Sequence, residues 1–131
     1  MTIAPRINAP GLGRLPAFSH AVRAGDLLFI SGTLGTVGEE FGLAAGGTGP
    51  ETRQALENIG KILEAAGGGF EDLVNLKVFL VDMQTFPTMN EAYLAFFPSE
   101  PPSRITVGCS ELALSAAVEI EAVAYLPAAK T

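Results

Sequence analysis

Tryptophan is missing from the chain, and cysteine and histidine occur once each, as Cys109 and His20. A single cysteine excludes an internal disulfide, and one Cys with one His, lacking any CxxC or HxxxH spacing, leaves no conventional zinc site. The same scarcity argues against nucleophilic hydrolysis through a Cys–His or Ser–His arrangement, so both residues read as structural. Positive charge is thin: 8 Lys and Arg face 14 Asp and Glu, for a net charge of −6. The basic residues are scattered, and aromatics make up 8% with no basic interleaving, so neither a polyanion groove nor a stacking platform for RNA is expected. No apolar run approaches the ~20 residues of a membrane helix. The first residues carry Pro5, Pro10, Gly11 and Gly13 in place of an apolar signal core. With the lone cysteine, these features point to a cytoplasmic protein with no membrane and no nucleic-acid partner. The 15 glycines contain no G-x-G-x-x-G or Walker pattern, which removes a phosphate loop.

What the chain has instead is apolar surface. Hydrophobic residues are 48% of the 131 and mean hydropathy is +0.35. A chain this long builds one core and buries roughly two-thirds of its unfolded surface; the surplus suggests burial between subunits.

Residues 1–14 are Pro/Gly-rich and aperiodic and read as an arm over the body or partly disordered, followed by one domain over 15–131. Residues 19–23 and 27–31 are short strand-like runs joined by Ala24-Gly25-Asp26, a hairpin whose second strand ends at Ser31-Gly32. The six glycines of 33–49 mark a mobile connection. A helix follows, with Thr48 and Glu51 as a capping-box candidate and Ala55, Leu56, Ile59, Ile62, Leu63 and Ala66 at helical spacing. Gly67-Gly68-Gly69 ends it, and Arg53, Glu57, Lys61 and Glu64 form its solvated face. Residues 73–81 read as a central strand, completing a β–α–β unit. Thr85 is a cap candidate for a second helix carrying Phe86, Met89, Tyr93, Phe96 and Phe97 on one stripe, with Asn90 beside it. Residues 104–108 and 117–126 complete the strands.

Two residues in this last third suggest chemistry. Arg104 follows Pro101-Pro102-Ser103 at a strand mouth, where a guanidinium presents a rigid fork matched to a carboxylate and, if reserved for a ligand, needs no internal partner. Glu119 lies between Val118 and Ile120, apolar neighbours that make it a tunable base, although a solvated strand face explains it equally well. An arginine clamp with an acid suits a small anionic substrate and one activated water.

The stretch Pro101–Val107, the run Val118-Glu119-Ile120-Glu121-Ala122, Leu28–Gly32 and Glu51–Ile59 together resemble the RidA family of reactive-intermediate (enamine/imine) deaminases, over about Leu15 to Leu126. The resemblance implies an α+β, chorismate-mutase-like subunit: a mixed β-sheet with two helices packed on one face, assembled as a homotrimer with pockets between subunits. It implies cofactor-free hydrolysis of short 2-imino or enamine acids to 2-keto acids and ammonia. It makes Glu119 and Arg104 catalytic, with Arg104, Ser31, Gly32, Asn90, Phe18 and Thr106 around a small carboxylate substrate. A non-catalytic small-acid binder or accessory protein handling imines is the alternative, and an endoribonuclease or translation inhibitor the third reading, opposed by the net charge of −6. The chain departs from the family at the pocket's rim: Phe18-Ser19-His20 stands for Tyr-Ser-Gln, Thr106 for a cysteine, Thr33 for a glutamine and Asn75 for a lysine. The arginine clamp and the acid survive these changes, so deaminase chemistry stays the expectation, whether the altered rim abolishes or redirects it being left open, and the best substrate need not be the enamine of serine or threonine breakdown.

Overall fold

The computed structural model describes residues 3–127. Six strands form one mixed sheet: β1 (Arg6–Ile7), β2 (Ala21–Ala24), β3 (Leu27–Leu34), β4 (Leu73–Leu80), β5 (Ser103–Gly108) and β6 (Val118–Tyr125), in the order β1-β2-β3-β6-β4-β5. Helices α1 (Thr48–Ala65) and α2 (Phe86–Leu94) cover one face. The fold is the expected α+β arrangement. β4 and β5 run parallel on either side of the α2 crossover, and every other pairing is antiparallel.

Each strand shows the core a single face. Leu28 and Ile30 of β3, Leu76, Val78 and Leu80 of β4, and Val118, Ile120, Ala122 and Ala124 of β6 are buried against Leu56, Ile59, Ile62 and Leu63 of α1. The period-2 alternation read in β6 and the 3.6-residue stripe of α1 are thus both real. Among the described residues no helix lies over the sheet's other face, where Leu27, Phe29, Ile105 and Tyr125 are exposed.

Several local expectations are corrected. The first hairpin turns on two residues, Gly25 and Asp26, with Gly25 at φ 61°. β3 does not end at Ser31-Gly32 but runs on to Leu34 through a bulge, where those two residues stand opposite Glu121 alone. Thr48 and Glu51 make no capping box: Gly47 is the N-cap of α1, and Glu51 turns inward to accept the Ala117 N–H at 2.8 Å. Thr85 gives α2 no side-chain cap; its hydroxyl donates back to the Asp82 carbonyl. Helix α2 stops at Leu94, so Phe96 and Phe97 pack from the following turn, with ring centroids 5.4 and 6.1 Å from Phe70.

The arm is fastened rather than draped. β1 pairs with β2, and buried His20 holds the next residues: its Nδ1 accepts the Ala9 N–H at 2.9 Å and its Nε2–H donates to the Gly13 carbonyl at 2.7 Å. This fixes the neutral tautomer protonated at Nε2. His20→Leu leaves both backbone groups unpaired and is expected to cost about 2–3 kcal/mol of stability, read as a lower denaturation midpoint with faster exchange of the Ala9 amide.

Candidate active site

A cavity of about 650 Å³ opens beside the β3 bulge, between the arm, the segment after β3 and the turn before β6. Phe18, Ser31, Gly32 and Glu119 all line it. Glu119 pairs in register with Leu34 on one side and Phe79 on the other, so it points to the uncovered face of the sheet. Its carboxylate lies against the bulge: a Cβ added at Gly32 would sit 2.7 Å from Glu119 Oε2. Burial raises the Glu119 pKa above the ordinary 4.5, and the neighbouring Glu121 carboxylate adds to the shift. Glu121 is in turn held by Lys77, Nζ to Oε1 3.3 Å.

The bulge is built by local polar bonds. Ser31 Oγ donates to the Ser19 carbonyl at 2.6 Å, and Thr33 Oγ1 to the Ser31 carbonyl at 2.7 Å. Asn58 completes the frame. It is 1% exposed on the buried stripe of α1, and its Nδ2 donates to the carbonyls of Leu34 and Thr36 at 3.1 and 2.9 Å while Oδ1 accepts from Gln54. The sequence reading passed over Asn58; the signal was there, a lone amide between Ala55, Ile59 and Ile62 on an apolar stripe. Gly35 lets this segment approach α1, since a Cβ there would meet the Glu51 carbonyl oxygen at 2.5 Å.

Arg104, Asn90 and Thr106 stand elsewhere. Arg104 pairs in register with core residue Leu76, and Thr106 with Val78, so both point to the helix-covered side. The guanidinium lies over the Tyr93 ring at 4.6 Å and near Phe86 at 5.5 Å, and its Nη1 donates to Asn90 Oδ1 at 2.8 Å. Burial raises the Tyr93 pKa, and the Arg104 charge opposes that rise. The Thr106 hydroxyl is buried without a hydrogen-bonding partner among the described residues. Arg104 and Glu119 therefore occupy opposite faces of the sheet, and the chain alone does not bring them together. The departure Asn75 is on Glu119's side, as is Lys77: Asn75 Nδ2 donates to Ser103 Oγ at 2.9 Å, and Asn75 Oδ1 accepts from Lys77 Nζ at 3.4 Å.

Residues 9–126 match the family model described as Endoribonuclease L-PSP. The chain belongs to this family, the RidA family. It is 41% identical over 108 residues to a RutC family protein of Pyrococcus horikoshii, covering 82% of this chain and 86% of that one. To the human 2-iminobutanoate/2-iminopropanoate deaminase it is 38% identical over 117 residues, 89% of this chain and 85% of the relative. The crystal structure of E. coli TdcF with bound serine superposes with a TM-score of 0.82 at 30% identity, covering 95% of this chain and 98% of that one. Two helices on a mixed six-stranded sheet are thus the RidA-family fold.

Gly32 gives a direct test of the bulge in this RidA-family chain. Its backbone is not left-handed, so Gly32→Ala is tolerated by the fold but pushes the Glu119 carboxylate aside. Any reaction that needs the carboxylate in place is expected to slow by at least about tenfold with little change in melting temperature.

Proposed function

We propose that the chain hydrolyses 2-imino acids to 2-keto acids and ammonia in a homotrimer, with each site completed between two subunits. The observation behind this reading is the division of the site. One half holds a desolvated carboxylate, Glu119, at a glycine bulge beside a cavity; the other holds a guanidinium whose fork is only partly used, braced by Asn90 and two rings. Neither half suffices alone, and a second copy laid on the uncovered face can supply the missing one. The exposed Leu27, Phe29, Ile105 and Tyr125 of that face favour such a contact.

In the joined site, Arg104 grips the substrate carboxylate through paired N–H donors, with Thr106 two residues along β5 on the same face. Glu119 removes a proton as water oxygen adds to the imine carbon, giving a carbinolamine. The first proton goes to the imine nitrogen; the carbinolamine hydroxyl then gives up its own proton, through Glu119, to the amino group as the carbon–nitrogen bond breaks, so that ammonia leaves and the carbonyl forms. One water is consumed and no electrons are exchanged. The relative named 2-iminobutanoate/2-iminopropanoate deaminase supports this chemistry, and the bound serine of the TdcF structure supports an amino-acid-sized ligand. An RNA substrate fits the cavity poorly, because its charged lining consists of Glu119 and Glu121 with neither Lys nor Arg.

The test couples an amino-acid oxidase, which generates imines in situ, to decay measured with and without the protein. Accelerated decay is expected, together with a light-scattering mass about three times 13.6 kDa. A stable monomer that accelerates no 2-imino acid would leave small-acid binding as the function.

A further inference from the structure

We propose that the cavity beside Glu119 selects 2-imino acids with a bulky hydrocarbon side chain, of four carbons or more, over the imine of alanine. This rests on the deaminase reading and concerns what the site accepts. The cavity measures about 650 Å³. The imine of alanine has six heavy atoms, and even at the ~30 Å³ share of a liquid water molecule each, these fill no more than roughly 180 Å³. Most of the remaining wall is hydrocarbon.

Four large apolar side chains converge there while staying well exposed: Leu15 at 44%, Phe18 at 43%, Phe41 at 41% and Leu114 at 49%. Their placement is fixed by the fold. Phe41 is packed on the arm, where a Cβ at Gly13 would meet its Cζ at 2.7 Å. Leu114 and Ser115 are consecutive non-glycine residues with φ of 61° and 56°, a backbone that disfavours leucine yet carries its side chain to the cavity. The polar groups, Glu119 and the Ser31-Gly32 bulge, share the same cavity, so a substrate with its imine carbon at Glu119 sends its side chain toward the hydrocarbon. Glu119 faces the side of the sheet that a second copy would cover, so that copy closes the mouth of the cavity with its guanidinium, while the hydrocarbon wall of this concave ligand site comes from the one chain.

Two measurements on the intact protein test the preference. First, pyruvate and 4-methyl-2-oxopentanoate, the stable 2-oxo acid products from the imines of alanine and leucine, are titrated by calorimetry. With about fourfold per buried methylene, the larger acid is expected to bind at least tenfold tighter. Secondly, rate acceleration is compared for the two imines. Leu114→Asn, whose side chain suits a left-handed backbone, removes hydrocarbon without loosening the turn and is expected to cut the leucine-to-alanine ratio at least threefold. Equal or tighter binding of pyruvate overturns the inference, and would mean that a partner subunit fills the cavity instead. Turnover of the alanine imine with none of the leucine imine also overturns it, while leaving the deaminase reading intact. If neither imine is accelerated but 4-methyl-2-oxopentanoate still binds tighter, the deaminase reading fails and the hydrocarbon preference stands.

Discussion

Replacing Arg104 by lysine should lower kcat/KM for imine hydrolysis by about 10- to 100-fold, and replacing it by alanine should lower it further. Lysine keeps the charge and loses the planar fork; alanine loses both. The structure also corrects an expectation about stability. Arg104 is not idle in the absence of a ligand: it bonds Asn90 and stacks over Tyr93 and Phe86. Arg104→Ala is therefore expected to cost about 1–2 kcal/mol, a melting point lower by roughly 3–8 °C. Calorimetry and the coupled oxidase assay on both variants separate the two effects. A folded Arg104→Ala protein with undiminished turnover would remove the clamp from the mechanism.

Glu119→Gln is expected to slow turnover by about 10²- to 10⁴-fold, the range for a lost general base, and to make the protein more stable at pH 7. The sign follows from linkage. Burial, then Glu121, raises the folded-state pKa above 4.5, so between 4.5 and that raised value the folded chain binds more protons than the unfolded one. Stability falls as pH rises through this window, and above it the ionised carboxylate is a standing cost that glutamine removes. Below pH 4.5 the advantage disappears. Thermal melts of both proteins across pH check this, and a variant less stable than the parent at pH 7 would mean that Glu119 serves the fold. The acidic limb of kcat/KM should lie above pH 4.5. Glu121→Gln removes the second cause of the shift and should move that limb down. The charged groups facing Glu119 are Glu121 on β6 and, through it, Lys77 on β4, while the facing β3 residues, Gly32 and Leu34, carry no charge.

Local periodicity alone determined much of this protein. The apolar stripe of α1 and the alternation of β6 were legible because each element's burial repeats along its own axis, and the stretches around Arg104, Glu119, Ser31-Gly32 and Glu51–Ile59 carried the resemblance to the family. What the sequence did not determine lies between elements. Glu51 and Thr48 have the spacing of a capping box, yet a backbone N–H 66 residues away claims the Glu51 carboxylate. Ser31-Gly32 looks like a strand end, and only the register against β6 makes it a bulge. In β5 the alternation misleads outright. Ile105 and Val107 are the apolar members, but Ile105 is 53% exposed on the uncovered face, while Arg104 and Thr106 turn toward α2. The parity of a strand is set by its hydrogen-bonded neighbour, and β5 takes its parity from the pairing of Leu76 with Arg104. That pairing puts Arg104 and Glu119 on opposite faces, a separation that no spacing along the chain could reveal.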